Sequence, residues 1–249
     1  MNKSLKIVAV VLLVLVVGGY VGAEFFLGSI VKAGVNRFAP AITQTKVNLD
    51  GAVISPLSGS GTLKGLVIGN PKGWSDGNFC SLGKIHIDVA PMSLLGDRIL
   101  VEAIELEAPE FNYETKLIAS NVNDLLKNIE QATGGKAPAD PQAPAAGGSG
   151  VKIEVKKFRL VNGKVRVGMA GAGLTLPLPP IELTDIGTAE GGVTPDKIAF
   201  AVMKRLTPEI IGATAKAAGD IGKTTGAAAA EGVKKTGEAI KGLFGGGKE

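Results

Sequence analysis

Few residues in this chain are spaced to do chemistry. The single cysteine, Cys80, has only one histidine in its neighbourhood, His86, and a strand would carry that ring to its opposite end. A nucleophile needs a base oriented beside it, so the thiol reads as inert. One histidine excludes a multi-histidine metal site, and on an outward strand position His86 is expected to be exposed. Glu102, Glu105, Glu107 and Glu110 raise the question of a cation site or a pair of acid/base carboxylates. Calcium sites draw on tightly spaced oxygen ligands around a glycine turn, and that pattern is missing. Glutamates at alternating strand positions form a solvated face instead. No nucleophile–base pair can be assembled, so the expectation is a protein that is not an enzyme and has no cofactor.

The glycine-rich stretch SGSGTLKGLVIGNPKGW, Ser58–Trp74, invites a phosphate-cradling reading. A dinucleotide fingerprint needs G-x-G-x-x-G after a strand and opening a helix. Here the next glycine is Gly65, the following residues read as a strand, and the G-K-[ST] of a P-loop is missing. The stretch reads as architecture: a bend at Gly59 and Gly61, a strand, then an Asn70-Pro71-Lys72-Gly73 turn with Trp74 packed over it.

Basic residues cluster at Lys152, Lys156, Lys157, Arg159, Lys164 and Arg166. Asn162-Gly163 has the composition of a tight hairpin turn. That hairpin would set Leu160 against Val165, Phe158 against Val167, and Arg159 beside Arg166. Like charges directly opposite are mildly destabilising, and anionic head groups would relieve them. Lys152, Lys157, Arg159, Lys164 and Arg166 are therefore candidates for an anionic head-group site. The alternative is a solvated outer face. Nucleic acid is not expected, because an exported chain would not meet it and stacking aromatics are few.

Export is read from the N-terminus. Lys3 and Lys6 precede Ile7–Ala23, which runs about 17 residues without a charge, near the lower limit for a spanning helix. Lysines ahead of the apolar run favour a cytoplasmic N-terminus. Val21-Gly22-Ala23 would also serve as a signal-peptide cleavage site. The length of the apolar run, and helical spacing that continues through Phe26, Ile30, Val31 and Val35, favour an uncleaved anchor.

The elements that must carry these residues are mostly strands. The chain has 249 residues and a net charge of +4, enough for one or two domains with a core of Val, Ile and Leu. Val47–Ile54, Thr62–Ile68, Lys84–Val89 and Ile99–Glu107 alternate as strands. Ile85, Ile87 and Val89 share one face, as do Ile104 and Leu106. Parity flips after Pro109 to Phe111 and Tyr113, which predicts a bulge or strand break. Ser120 opens a helix through Val122, Leu125, Leu126 and Ile129, and Gly134 and Gly135 stop it. Residues 134–150 read as a flexible linker. Strand character resumes at Val151, and the prolines of Leu174–Leu183 suit an edge strand. Thr194-Pro195 and Thr207-Pro208 each signal a helix start. Residues 212–249 form a low-complexity Ala/Gly/Lys tail, either solvated or a thin amphipathic surface helix.

SGSGTLKGLVIGNPKGW, then Ser93-Leu94-Leu95, IELEAPEFNYE and SNVNDLL, resembles the AsmA-like family of bacterial envelope proteins. The similarity covers roughly Phe38 to Ile129 and resumes at KKFRLVNGKVRV. It implies an N-terminal membrane anchor, a structural turn at Asn70, Pro71 and Gly73, a strand ended at Pro109, and a helix led by Asn121. It implies a non-enzymatic role in envelope integrity or lipid handling, with phospholipid or another envelope lipid, and envelope proteins, as partners. Larger members resemble bridge-like proteins whose curved sheet encloses an apolar groove; this chain could hold only a truncated one.

The expected fold is therefore mainly β (α+β): a transmembrane helix, then a curved antiparallel sheet with an open apolar groove and peripheral helices. The expected organisation is an anchor at 1–27, an AsmA-like β-rich region at 28–133, the linker, a hairpin region with helices at 151–211, and the tail. Candidate groove residues are Ile85, Ile87, Val89, Ile104, Leu106, Phe158, Leu160, Val165 and Val167. Location is expected at the bacterial inner membrane, single-pass, with the bulk periplasmic. The alternative is an interaction module, a closed β-sandwich similar to desiccation-stress domains, with no lipid ligand.

Overall fold

The computed structural model describes residues 3–116, 119–134, 152–167 and 174–216. The linker reading beyond Gly134 and the tail reading beyond Lys216 lie outside the described residues. A single helix, α1 (Lys3–Thr43), carries the apolar N-terminus without a break into the rest of the chain. Val11–Thr43 includes a stretch long and apolar enough to cross a membrane. The helix does not stop near Leu27, because its later turns have a surface to pack on.

That surface begins with β1 (Val47–Ile54) and β2 (Ser60–Gly69). The sheet continues through β3 (Asn78–Val89), β4 (Arg98–Glu107), β5 (Glu110–Tyr113), β8 (Lys152–Val161), β9 (Lys164–Val167), β10 (Leu174–Pro177) and β11 (Ile181–Ile186). A small ribbon, β6 (Thr115–Lys116) with β7 (Ala119–Ser120), leads into α2 (Asn121–Thr133). A third helix, α3, spans 195–216.

The class is α+β and the sheet is open, as expected, but its pairing is mixed. β4 runs parallel to β8 and β5 parallel to β9, while every other pairing in the sheet is antiparallel. Parallel neighbours need a long crossover, commonly helical, and α2 lies on the path from β5 to β8.

The hairpin expected at Asn162-Gly163 does not form. β8 lies between β4 and β11, and β9 between β5 and β10. Asn162 alone takes a positive φ, 55°, where an Asn-Gly hairpin turn needs two such residues. β8 and β9 are instead two halves of one strand line, bent between them. Leu160 therefore faces Leu106 and Ile181, not Val165, and Phe158 faces Ile104 and Leu183, not Val167. Arg159 and Arg166 are not neighbours.

The bend belongs to the whole sheet. Registers on either side of each break place Asp50, Gly65, Gly83, Ala108, Asn162 and Pro179 side by side across six strand lines. Hydrogen bonds from Ala108 N to Val161 O (2.9 Å) and from Leu178 N to Gly163 O (2.8 Å) carry the ladder across the line. Each strand spends two residues there where alternation allows one, so the inward parity flips in every line. Inward residues are Ile85, Leu106 and Leu160 on one side, and Cys80, Phe111 and Val165 on the other. The flip expected after Pro109 is one station of this crease. Pairing register is the same on both sides of this line, so its stations are not bulges; the register shifts of β3's pairings lie elsewhere, at Ile68/Gly69 and Asp88/Val89. Repeated in register, the two-residue step folds the sheet along one line.

Two helix signals resolve differently from each other. Thr194 accepts bonds from the Lys197 and Ile198 amides and opens α3 as expected. Thr207-Pro208 starts nothing: α3 runs through it, with Leu206 and Ile210 buried on either side. α2 begins at Ser120, whose side chain accepts from the Asn123 amide, and ends at Gly134, as expected. Val122, Leu125 and Ile129 of α2, Met203, Leu206 and Ile210 of α3, and Ile42 of α1 join the sheet's inward residues in one core.

Candidate functional site

The inner face is built from rows of cross-strand neighbours. One row runs Leu63, Ile85, Leu106, Leu160, Ile181; the next runs Gly61, Ile87, Ile104, Phe158, Leu183. Beyond the crease Phe111 and Val165 pair, then Tyr113 and Val167. Ile85, Phe158, Leu160 and Val165 are buried; Ile87, Val89, Ile104, Leu106 and Val167 are half-buried and pack against the same core. All nine groove candidates thus lie in the apolar core or against it, and four of them are already covered by protein. Burying each such side chain contributes on the order of 1.5–3 kcal/mol.

The outer face is a lattice of opposite charges. Arg159 lies between Glu105 of β4 and Glu182 of β11, at 3.5 and 3.9 Å. Lys157 pairs with Glu182 at 3.3 Å and Arg166 with Glu110 at 3.6 Å. Lys164 is in register with Glu110, and Lys152 with Arg98 at the start of β8. The acidic and basic groups, separate in sequence, interleave because β4 and β8 are parallel partners. The like-charge opposition that would call for an anionic partner does not arise between Arg159 and Arg166.

A shallow depression of about 580 Å³ on this face gathers Lys84, His86, Glu105, Glu107 and Arg159. His86 is exposed, its Nε2 3.6 Å from Asp88 Oδ1. Among the described residues no hydroxyl or thiol lines this depression. Cys80 is buried in the core, and burial pushes its thiol far above the ordinary value. Its cross-strand partners are Ile68 and Phe111, neither of which is a base. Among the described residues no group of three or more His, Cys, Asp or Glu could hold a metal ion.

The Asn-Pro-x-Gly turn sits one residue later than expected: Trp74 N bonds Pro71 O at 3.3 Å, with Gly73 inside the turn at φ 89°. Asn70 and Trp74 both reach α2 from this turn. Trp74 Nε1 donates to Asp124 Oδ2 at 2.8 Å, and Lys116 stands 4.7 Å from the indole centroid. Asn121 donates to Asn70 Oδ1 (2.9 Å) and to Asn112 O (2.7 Å), and its Oδ1 accepts from the Glu114 amide at 3.0 Å. Glu114 in turn accepts from Asn70, the Ser75 amide and the Ser75 hydroxyl. These motif residues lock α2 to the end of the sheet.

At the other edge α1 lies along β1, antiparallel to it. Tyr20 Oη is 2.9 Å from Ser55 Oγ, Gly28 faces Ala52, and Asn36 clasps the Leu49 backbone by donating to its carbonyl (3.2 Å) and accepting from its amide (2.6 Å). A Cβ at residue 28 would come within 2.0 Å of the Ala52 carbonyl oxygen, so only glycine permits this approach.

An apolar helix fused to an open sheet, with an Asn-Pro-x-Gly turn bonded to an Asn-led helix, accords with the family comparison: the AsmA family model matches residues 1–201. The chain belongs to the AsmA family. The AsmA match takes in α1, the whole sheet and the first turns of α3, more than the motif-bearing segments alone. A comparison with curated proteins finds no match.

Proposed function

We propose that this AsmA-family protein is a non-enzymatic component of the bacterial envelope. In this reading α1 holds it in the inner membrane, with the N-terminus cytoplasmic and the sheet in the periplasm. The inner face of the sheet then takes part in envelope lipid handling or outer-membrane integrity. The observation that carries the proposal is the unbroken passage of α1 from a membrane-length apolar stretch into its seat on β1. The sheet is thereby held at the bilayer rather than tethered to it by a linker. Lys3 and Lys6 ahead of the apolar run support the orientation. The half-buried Ile87, Val89 and Ile104 are where an acyl chain would meet the core.

One observation favours the second reading, an interaction module without lipid: Phe158, Leu160 and Val165 are already buried in a core shared with residues of α2 and α3. Native mass spectrometry of detergent-extracted full-length protein separates the two. Retained lipid adducts support lipid handling; bare protein supports the module. Protease digestion of spheroplasts tests orientation, because a periplasmic sheet is cut without lysis and a cytoplasmic one is not.

A further inference from the structure

We infer that the end of the sheet nearest α1's spanning stretch is itself seated in the bilayer, through the β1–β2 turn and the short 3-10 turn Pro91–Leu95. The inference rests on the anchored reading above. α1 is clasped to β1 at three heights, by Asn36, Gly28 and Tyr20, so the level of the β1–β2 turn along the helix is set. The turn is level with Tyr20, inside the uncharged run that ends at Ala23. That run gives about 25 Å of helix at 1.5 Å per residue. A hydrocarbon core is ~30 Å thick, so the span must reach past Ala23 toward Phe25 and Phe26, both exposed. Tyr20 then lies about 5–9 Å inside the outer boundary by helical rise, and the β1–β2 turn lies at that depth.

The side chains at this rim suit lipid. Leu57 is 78% exposed, Met92 77%, Leu95 83% and Leu94 45%. The two turns are joined by the Val89 amide, which donates to the Gly59 carbonyl at 3.1 Å. Elsewhere among the described residues the strands expose Val53 and Leu174 singly, whereas four exposed on adjoining turns form a patch rather than scattered surface residues. Tyr20 ties the β1–β2 turn to α1, whose residues Val11–Val17 are themselves exposed and apolar. The charged groups nearby are Glu24, one turn beyond Tyr20 on α1, and Asp97, Arg98, Lys152 and Glu154; Arg98 pairs with Glu154 at 2.7 Å, and Arg98 and Lys152 are in register on β4 and β8 at the edge of the rim, where phospholipid head groups lie.

The test uses the full-length protein carrying Cys80→Ser, reconstituted in vesicles of phosphatidylethanolamine and phosphatidylglycerol. Single cysteines introduced by Leu57→Cys, Leu95→Cys, Val14→Cys and Lys72→Cys carry an environment-sensitive fluorophore. All four positions are on exposed surface, so folding is not the limiting question. The expected result is at least twofold quenching by brominated acyl chains at 57, 95 and 14, with none at 72. If 14 is quenched while 57 and 95 respond to aqueous iodide as 72 does, the seated rim is wrong and the anchor stands. If 14 also behaves as 72 does, the anchored reading falls and the rim falls with it.

Discussion

The Asn121 side chain bonds that of Asn70 at 2.9 Å across 51 residues of sequence, and Asn121 is fully buried. It joins the turn after β2 to the start of α2, with Asn112 and Glu114 as its other partners. Replacing it by alanine strands the Glu114 amide and the Asn112 carbonyl, and an unpaired buried polar group costs about 1–3 kcal/mol. Asn121→Ala is expected to lower stability by about 2–4 kcal/mol, read as a fall in Tm of several degrees for the purified full-length protein. An unchanged Tm would show that the lock contributes nothing.

The crease makes a linked prediction at two stations. Gly65 has φ 64°, and a Cβ there would lie 2.1 Å from Asp50 Oδ2. Gly65→Val is expected to cost roughly 1–3 kcal/mol, the scale of a strained backbone position. Asn162, at φ 55°, should accept glycine with little loss, whereas Asn162→Val should behave like the Gly65 variant. Urea denaturation of the three variants checks this; equal effects of Gly and Val at 162 would contradict the crease.

Much of this architecture is readable in the alternation of single strands. Ile85, Ile87 and Val89, the flip after Pro109, the Ser120 cap and the Thr194-Pro195 start are local signals, and each is where local physics puts it. What local physics does not carry is strand partnership. Asn162-Gly163 has hairpin chemistry, yet the burial available to Leu160 between Leu106 and Ile181 outweighs it. For the same reason the glutamates of β4 and the basic residues of β8 read as two separate clusters, since nothing near either one announces a parallel neighbour. Leu57, Met92, Leu94 and Leu95 carry no periodic signal, and their meaning depends on where Tyr20 holds the adjoining turn.

The charge lattice should be weak. Arg159, Glu105 and Glu182 are each about half exposed, and exposed ion pairs contribute about 0–1 kcal/mol. A double-mutant cycle with Arg159→Ala and Glu105→Ala is expected to give a coupling below about 1 kcal/mol, shrinking further in high salt. A coupling of several kcal/mol would mean these side chains do more than solvate a face.

Cys80 sets a pH dependence. Its folded value is raised by burial, so the contribution to stability is complete below the unfolded value, near 8.5, and is lost as pH rises beyond it. Native protein at pH 8 should resist thiol reagents and react on unfolding. Cys80→Ala should flatten the alkaline decline in Tm. Rapid labelling of the native protein would contradict the burial.

The central claim, that the inner face of an anchored sheet meets lipid, is tested most directly by two adjacent residues on opposite faces of β3. A photo-crosslinking amino acid replaces Ile87 in one full-length variant and His86 in the other, and both are irradiated in intact cells. The account expects phospholipid adducts from position 87 and none above background from position 86. Adducts from neither, or equally from both, would contradict it.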